Sequence, residues 1–264
     1  MGKRFVSVLL VLAVLVLTGC RNRKPADKPF EQVQLEAHIQ MQIDSLAALA
    51  MSKDAGHVFI GLEDGSFILT DADRLVKPEC LIDPASVSKL TRLDQKYRAC
   101  SIIACDMQVA RAYGMDIEPL KAALAKLVAD INDPALKSFQ ENANFDTPAD
   151  DMKKFYENEK ANGRLAFFWD MNAAMSIETL YHVSHNADKF LPLFTDQDAS
   201  DVTLRLFLIL QSVQALSDYY PGMKELYNAM KPLEALNAMD VEELREQLTG
   251  MKAELESVRA TLLR

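Results

Sequence analysis

"RLAFFWDMNAAMSIETLYHVSH", residues 164–185, decides how this chain folds. Apolar side chains surround its first half on every side, and neither proline nor glycine interrupts it. A helix that is apolar all round belongs in the middle of a protein. Asp170 and Asn172 keep the run well short of the about 20 consecutive apolar residues needed to span a bilayer, so it reads as a buried core helix. "TLRLFLILQSVQAL", residues 203–216, is as dense and is interrupted only by Arg205. The two segments predict a mainly α protein, a multi-helix bundle packed around them. Trp169, between Phe168 and Asp170, is expected in the core rather than as a platform for a ligand.

Working outward, apolar residues recur at helical spacing over most of the chain. A first helix is predicted over 30–52. Asp83-Pro84, Asp133-Pro134 and Thr147-Pro148 each set a capping side chain before a proline, which needs no amide partner in the first turn. They mark helices over 86–113, 134–142 and 148–161, with another over 117–131, and Gly114 and Gly163 act as stops. Later helices are predicted over 164–186, 201–220, 223–239 and 241–263, with Pro221-Gly222 as a break. The exception is residues 57–71, "HVFIGLEDGSFILTD", where Asp64-Gly65 between two apolar runs signals a small β-hairpin. Only nine glycines occur and no repeat of fixed period is present, so residues 30–264 are expected to form a single α-helical domain.

The last predicted helix carries a heptad stripe. Val241, Leu244, Leu248, Met251, Leu255, Val258 and Leu262 alternate steps of three and four. Such a stripe either packs inside the bundle or zips onto another envelope protein, and Leu244 to Leu262 are the partner-binding candidates. Glu178, His182 and His185 share one helix face and are the candidate metal ligands. A zinc site would need a further ligand, and no paired Glu-x-x-His motif is present. The plainer expectation for the three residues is a polar face near a helix end. Asp106 lies within the apolar "IIACDMQVARAYGM" and would have a raised pKa if buried.

The N-terminus speaks to location. Lys3 and Arg4 precede an apolar run from Phe5 to Val16 broken only by Ser7, the form of an export signal. Leu17-Thr18-Gly19-Cys20 then resembles the lipobox of bacterial lipoproteins. The resemblance implies a leader over 1–19, cleaved to leave Cys20 acylated, with palmitate-like chains as the anchor, and a basic tether over 20–29. Loss of Lys3 and Arg4 with the leader takes the formal charge from -9 to -11. A body of that sign disfavours nucleic acid. Arg21, rather than an acidic residue, follows the cysteine, which favours the periplasmic face of the outer membrane. Of the remaining cysteines, Cys100 and Cys105 are separated by about 7.5 Å of helical rise, beyond disulfide reach. Cys80 is left to pair with either one, or all three are small buried hydrophobes.

Around "LTRLDQKYRACSIIACDMQVARAYGMD" and "PLEALNAM" the chain resembles helical envelope lipoproteins of the Bacteroidota, a likeness that carries no active-site residues with it. No nucleophile elbow, phosphate loop or dinucleotide-binding glycine pattern occurs. The expectation is therefore a lipid-anchored binding or scaffolding protein rather than an enzyme, needing no cofactor. The alternatives are a carrier of a small hydrophobic ligand between the central helices and, further off, a metal-dependent hydrolase.

Overall fold

The computed structural model describes residues 30–51, 69–137 and 149–264. Every regular element among them is an α- or 3-10 helix, so the chain is a mainly α multi-helix bundle. The leader, Cys20 and nearly all of the expected hairpin lie outside the described residues. Only the end of that hairpin stretch is described, and there Thr70 caps a short helix. No helix among the described residues is long and apolar enough to cross a membrane. Contacts group the chain into two units, residues 1–38 and residues 39–264. Of the first, only the opening turns of α1 (Phe30–Met51) are described.

Within the second unit the elements follow as α2 (Asp71–Leu75), a 3-10 turn (Pro84–Lys89), α3 (Leu93–Ala112) and α4 (Glu118–Ile131). Then come α5 (Ala149–Ala161), α6 (Leu165–His185), the short α7 (Ala187–Phe190) and α8 (Asp196–Leu216). The chain continues with α9 (Pro221–Met230), a 3-10 turn (Lys231–Ala235), α10 (Val241–Gly250) and α11 (Lys252–Leu262). The hub is α6, as its all-round apolar pattern predicts: it packs against α3, α5 and every helix from α7 to α11. Trp169 is fully buried, edge-on to Phe168 at 5.2 Å.

The second hub is α3 rather than α8. Seventeen of the 20 residues of α3 are buried, including Arg98 and Asp106, whereas α8 leaves Leu204 43% and Phe207 51% exposed. The polar residues of α3 had masked its centrality; α8, expected to be buried all round, is amphipathic. Two polar ties hold α3 to its neighbours. Arg98 Nε donates to Asp170 Oδ1 of α6 at 2.6 Å, and Tyr97 Oη donates at 2.5 Å to Asp133, just beyond α4, which also takes Arg164 Nη1 at 2.9 Å.

Helix boundaries differ from expectation where a cap or a proline intervenes. Asp83 does cap a proline-led turn, accepting from Ala85 N at 2.9 Å, but that turn is 3-10 and ends at Lys89. Arg92 is extended, so α3 starts anew there, with the Gln95 side chain accepting from Arg92 N at 3.0 Å. Gly114 and Gly163 stop their helices at positive φ, as expected. Pro232 cuts the helix expected over 223–239 into α9 and a 3-10 turn. The last helix divides at Met251.

The start of α8 lies earlier than expected because Thr195 and Asp198 form a reciprocal cap. Thr195 Oγ1 accepts from Asp198 N at 3.2 Å and Asp198 Oδ2 accepts from Thr195 N at 2.7 Å. Thr195→Ala is expected to cost about 1 kcal/mol, read as a lowered urea midpoint at unchanged slope.

The heptad stripe packs inward. Leu244, Leu248, Leu255, Val258 and Leu262 are all buried, largely where α10 and α11 meet α6, and the helix break leaves Met251 half-buried. Of the two expected outcomes this is packing inside the bundle, with the stripe's apolar area covered by the chain's own core.

Candidate functional site

The packing of α3 and α11 on α6 brings four fully or largely buried polar side chains together. Glu178 and His182, one helical turn apart on α6, face Asp106 from α3 and Arg259 from α11. Glu178, His182 and Asp106 are wholly buried. The segment between α2 and the first 3-10 turn covers them and adds Cys80 and the backbone of Ile82.

Each group has a defined partner. His182 Nε2 lies 2.6 Å from Asp106 Oδ1 and 3.4 Å from Glu178 Oε1. Two carboxylates at one nitrogen place the proton on Nε2, which leaves Nδ1 as the basic lone pair. In that tautomer the Cys80 thiol, with Sγ 3.4 Å from Nδ1, is the donor. Asp106 Oδ2 accepts from Ile82 N at 2.5 Å. Arg259 grips Glu178 with both edges of its fork, Nε donating to Oε2 at 2.7 Å and Nη2 to Oε1 at 2.8 Å, and Nη2 lies 4.0 Å from Asp106 Oδ2. Its guanidinium stacks 4.4 Å from the centre of the Tyr181 ring, which aims the fork and adds a cation–π contact.

Burial sets the electrostatics. It pushes the Asp106 carboxyl up to about 6, against the pull of the Ile82 amide and Arg259. Burial and the neighbouring Asp106 push Glu178 up to about 7, against Arg259 and His182. One carboxylate is thus poised to hold or release a proton near neutrality, which is the condition for a proton-moving site.

The outcome for the sequence candidates is mixed. Glu178 and His182 meet, and Asp106 joins them. His185 does not: it lies about 4.5 Å further along the axis, where Nδ1 is 2.8 Å from the Tyr181 carbonyl and Nε2 is 3.2 Å from Glu256. The spacing of Asp106, Glu178 and His182, with one ligand atom from each within 4.8 Å of the others, suits an ion. The cation these acids face, however, is Arg259, and their oxygens are engaged by its fork, by Ile82 N and by His182. Cys80 and Arg259 were missed. Neither belongs to a local motif, and the sole hint was an odd cysteine count. Cys80, Cys100 and Cys105 all carry free thiols; Cys100 and Cys105 are fully buried, and burial pushes the Cys100 thiol up to about 12.

A surface cleft of about 500 Å³ is lined by Cys80 and Tyr181 at the edge of this cluster. Residues 76–80 form one side and Tyr181 with residues 185–189 the other. Cys80, 8% exposed, thus lines the cleft while its thiol rests on the buried imidazole. The fold and site together define a helical bundle with a buried thiol–imidazole–carboxylate cluster whose thiol residue edges a surface cleft. No protein-family model, no curated protein and no solved structure matches the chain.

Proposed function

We propose that the chain is an outer-membrane lipoprotein, held through acylated Cys20 and facing the periplasm, whose helical body binds another envelope component or a small ligand at the cleft beside Cys80. The observation that carries the anchoring is Leu17-Thr18-Gly19-Cys20 directly after the apolar run from Phe5 to Val16. Each buried methylene contributes about 0.8 kcal/mol to membrane residence, so two or three acyl chains hold a protein stably. The cleft is favoured as the binding surface over the C-terminal stripe because the stripe is already covered within the chain.

Cells fed a palmitate analogue are expected to label the chain, and Cys20→Ser should abolish the label and shift the protein from the membrane to the soluble fraction. An unmodified Cys20 or an intact Met1 terminus in native membranes would overturn the reading. For the binding role, Val76→Glu at the cleft edge should remove partners captured by the wild-type protein from envelope extracts; an unchanged set of partners would count against the cleft.

A further inference from the structure

We infer that Cys80, His182 and Asp106 form a nucleophilic triad that cleaves carboxylic esters or thioesters bearing an apolar acyl group, with Cys80 carrying the acyl group as an intermediate. The inference deepens the cleft reading above and rests on the cleft being the ligand site, but not on the lipid anchor.

Geometry comes first. A nucleophile needs a base within hydrogen-bond reach and a third group that orients the base. Cys80 Sγ is 3.4 Å from His182 Nδ1, and His182 Nε2 is 2.6 Å from Asp106 Oδ1. The carboxylates hold the ring as the Nε2–H tautomer, so the lone pair that faces sulfur is available to take its proton. Asp106 is itself fixed by the Ile82 amide, and Glu178 with Arg259 supports the imidazolium that would form. Asp106, Glu178 and Arg259 are therefore positioning residues, and Cys80 and His182 are the catalytic pair.

Access separates Cys80 from its two counterparts. Cys100 and Cys105 are sealed in α3, whereas Cys80 lines the cleft. Val76, Pro78 and the Tyr181 ring form the apolar part of a lining that also carries Lys77, Glu79, Asp188 and Lys189, and the acyl chain would lie on that part.

The chemistry balances with water as the co-reactant. Cys80 gives its proton to His182 Nδ1, and a sulfur lone pair forms an S–C bond to the carbonyl carbon while the C=O π pair moves onto oxygen. Collapse breaks the bond to the leaving oxygen or sulfur, which takes the proton from Nδ1 and departs as alcohol or thiol. A water molecule then gives a proton to Nδ1 and attacks the S-acyl carbon; the S–C bond breaks and the sulfur recovers its proton. The net change is one water added across one ester or thioester.

The test uses the full chain with p-nitrophenyl acetate and p-nitrophenyl hexanoate, followed by peptide mapping in a mass spectrometer. The expected result is a burst of nitrophenol, one acyl mass on the Cys80 peptide, and faster acylation by the hexanoyl ester. Cys80→Ser should abolish the thioester adduct. His182→Gln should slow acylation about 10²-fold with the helical circular dichroism retained, and Asp106→Asn should slow it in the same direction. Should either core variant unfold, the wild type still decides: Cys80 must acylate about tenfold or more faster than glutathione at neutral pH. Acyl groups found only on lysines, a Cys80 rate at or below that of glutathione, or an unchanged rate in folded His182→Gln overturns the triad. Failure of the triad with partner capture still lost in Val76→Glu would leave the binding role of the cleft standing.

Discussion

Arg259→Ala is expected to lower the unfolding free energy by about 3–5 kcal/mol, the range for removing one partner of a buried ion pair. The guanidinium makes a bidentate contact with Glu178 and sits 4.0 Å from Asp106. It is the only guanidinium or ammonium in contact with either carboxylate among the described residues. Without it, two wholly buried acids share one imidazole, and one of them must take a proton or draw water into the core. Most of the cost is that stranded charge rather than the lost attraction. Glu178→Gln is therefore expected to be milder than Arg259→Ala, and the double variant should recover part of the loss, since residues in one network do not act additively. Arg259→Lys keeps the charge but loses the fork and its stack on Tyr181, so it should fall between. Urea unfolding at constant slope measures each step. A loss below about 1 kcal/mol for Arg259→Ala would show that the cluster is hydrated and the pair exposed in solution.

Between about pH 5 and pH 8 the chain is expected to become less stable by more than about 1.4 kcal/mol as pH rises. Four carboxyls have raised values in the folded state: Asp106 to about 6, Asp170 and Glu178 to about 7, and Glu159 to about 8. Burial is the leading cause in every case, and Asp133 adds to it at Glu159. For a group raised on folding, the folded state binds more protons than the unfolded state throughout the interval between the two values. Its contribution is complete below the unfolded value and is lost as pH climbs through the folded one. Asp94 and Asp133 act in the opposite window. Burial pushes both up, but Arg92 and Arg98 at Asp94, and Tyr97, the Ala135 amide and Arg164 at Asp133, hold them below the ordinary carboxylate value. Their stabilisation is present above about pH 4 and lost below it. Thermal melts across the range should show a maximum on the acid side of neutrality, and Glu159→Gln should flatten the slope above about pH 6. Stability that rose from pH 5 to pH 8 would exclude this proton balance.

The fold was more legible than the site, for a physical reason. Helices announce themselves through periodicity and caps, which are local, so α6, the glycine stops at Gly114 and Gly163, and the inward stripe of the last helices were all readable. What failed locally was the weight of competing signals: Pro232 against the apolar run around it, and Thr195-x-x-Asp198 as a cap written with aspartate instead of glutamate. The centrality of α3 was hidden because its polar residues, Arg98 and Asp106, are paired across helices with Asp170 and with His182. Pairing across a core leaves no periodic trace. Three of the five side chains of the candidate site were visible, Glu178 with His182 by spacing and Asp106 by its apolar surroundings. Cys80 and Arg259 come from segments whose approach only tertiary packing decides.

The placement of Arg259 also orders events in time. It follows Glu178 by 81 residues and lies on α11, the last of the described helices. A chain growing at about 5–20 residues per second leaves an interval of about 4–16 s between the two. Throughout that interval Glu178 of α6 and Asp106 of α3 lack their counter-ion, so the hub cannot close on its own side chains. The middle of the bundle can therefore become dry only once α11, a helix far downstream of the hub, has docked.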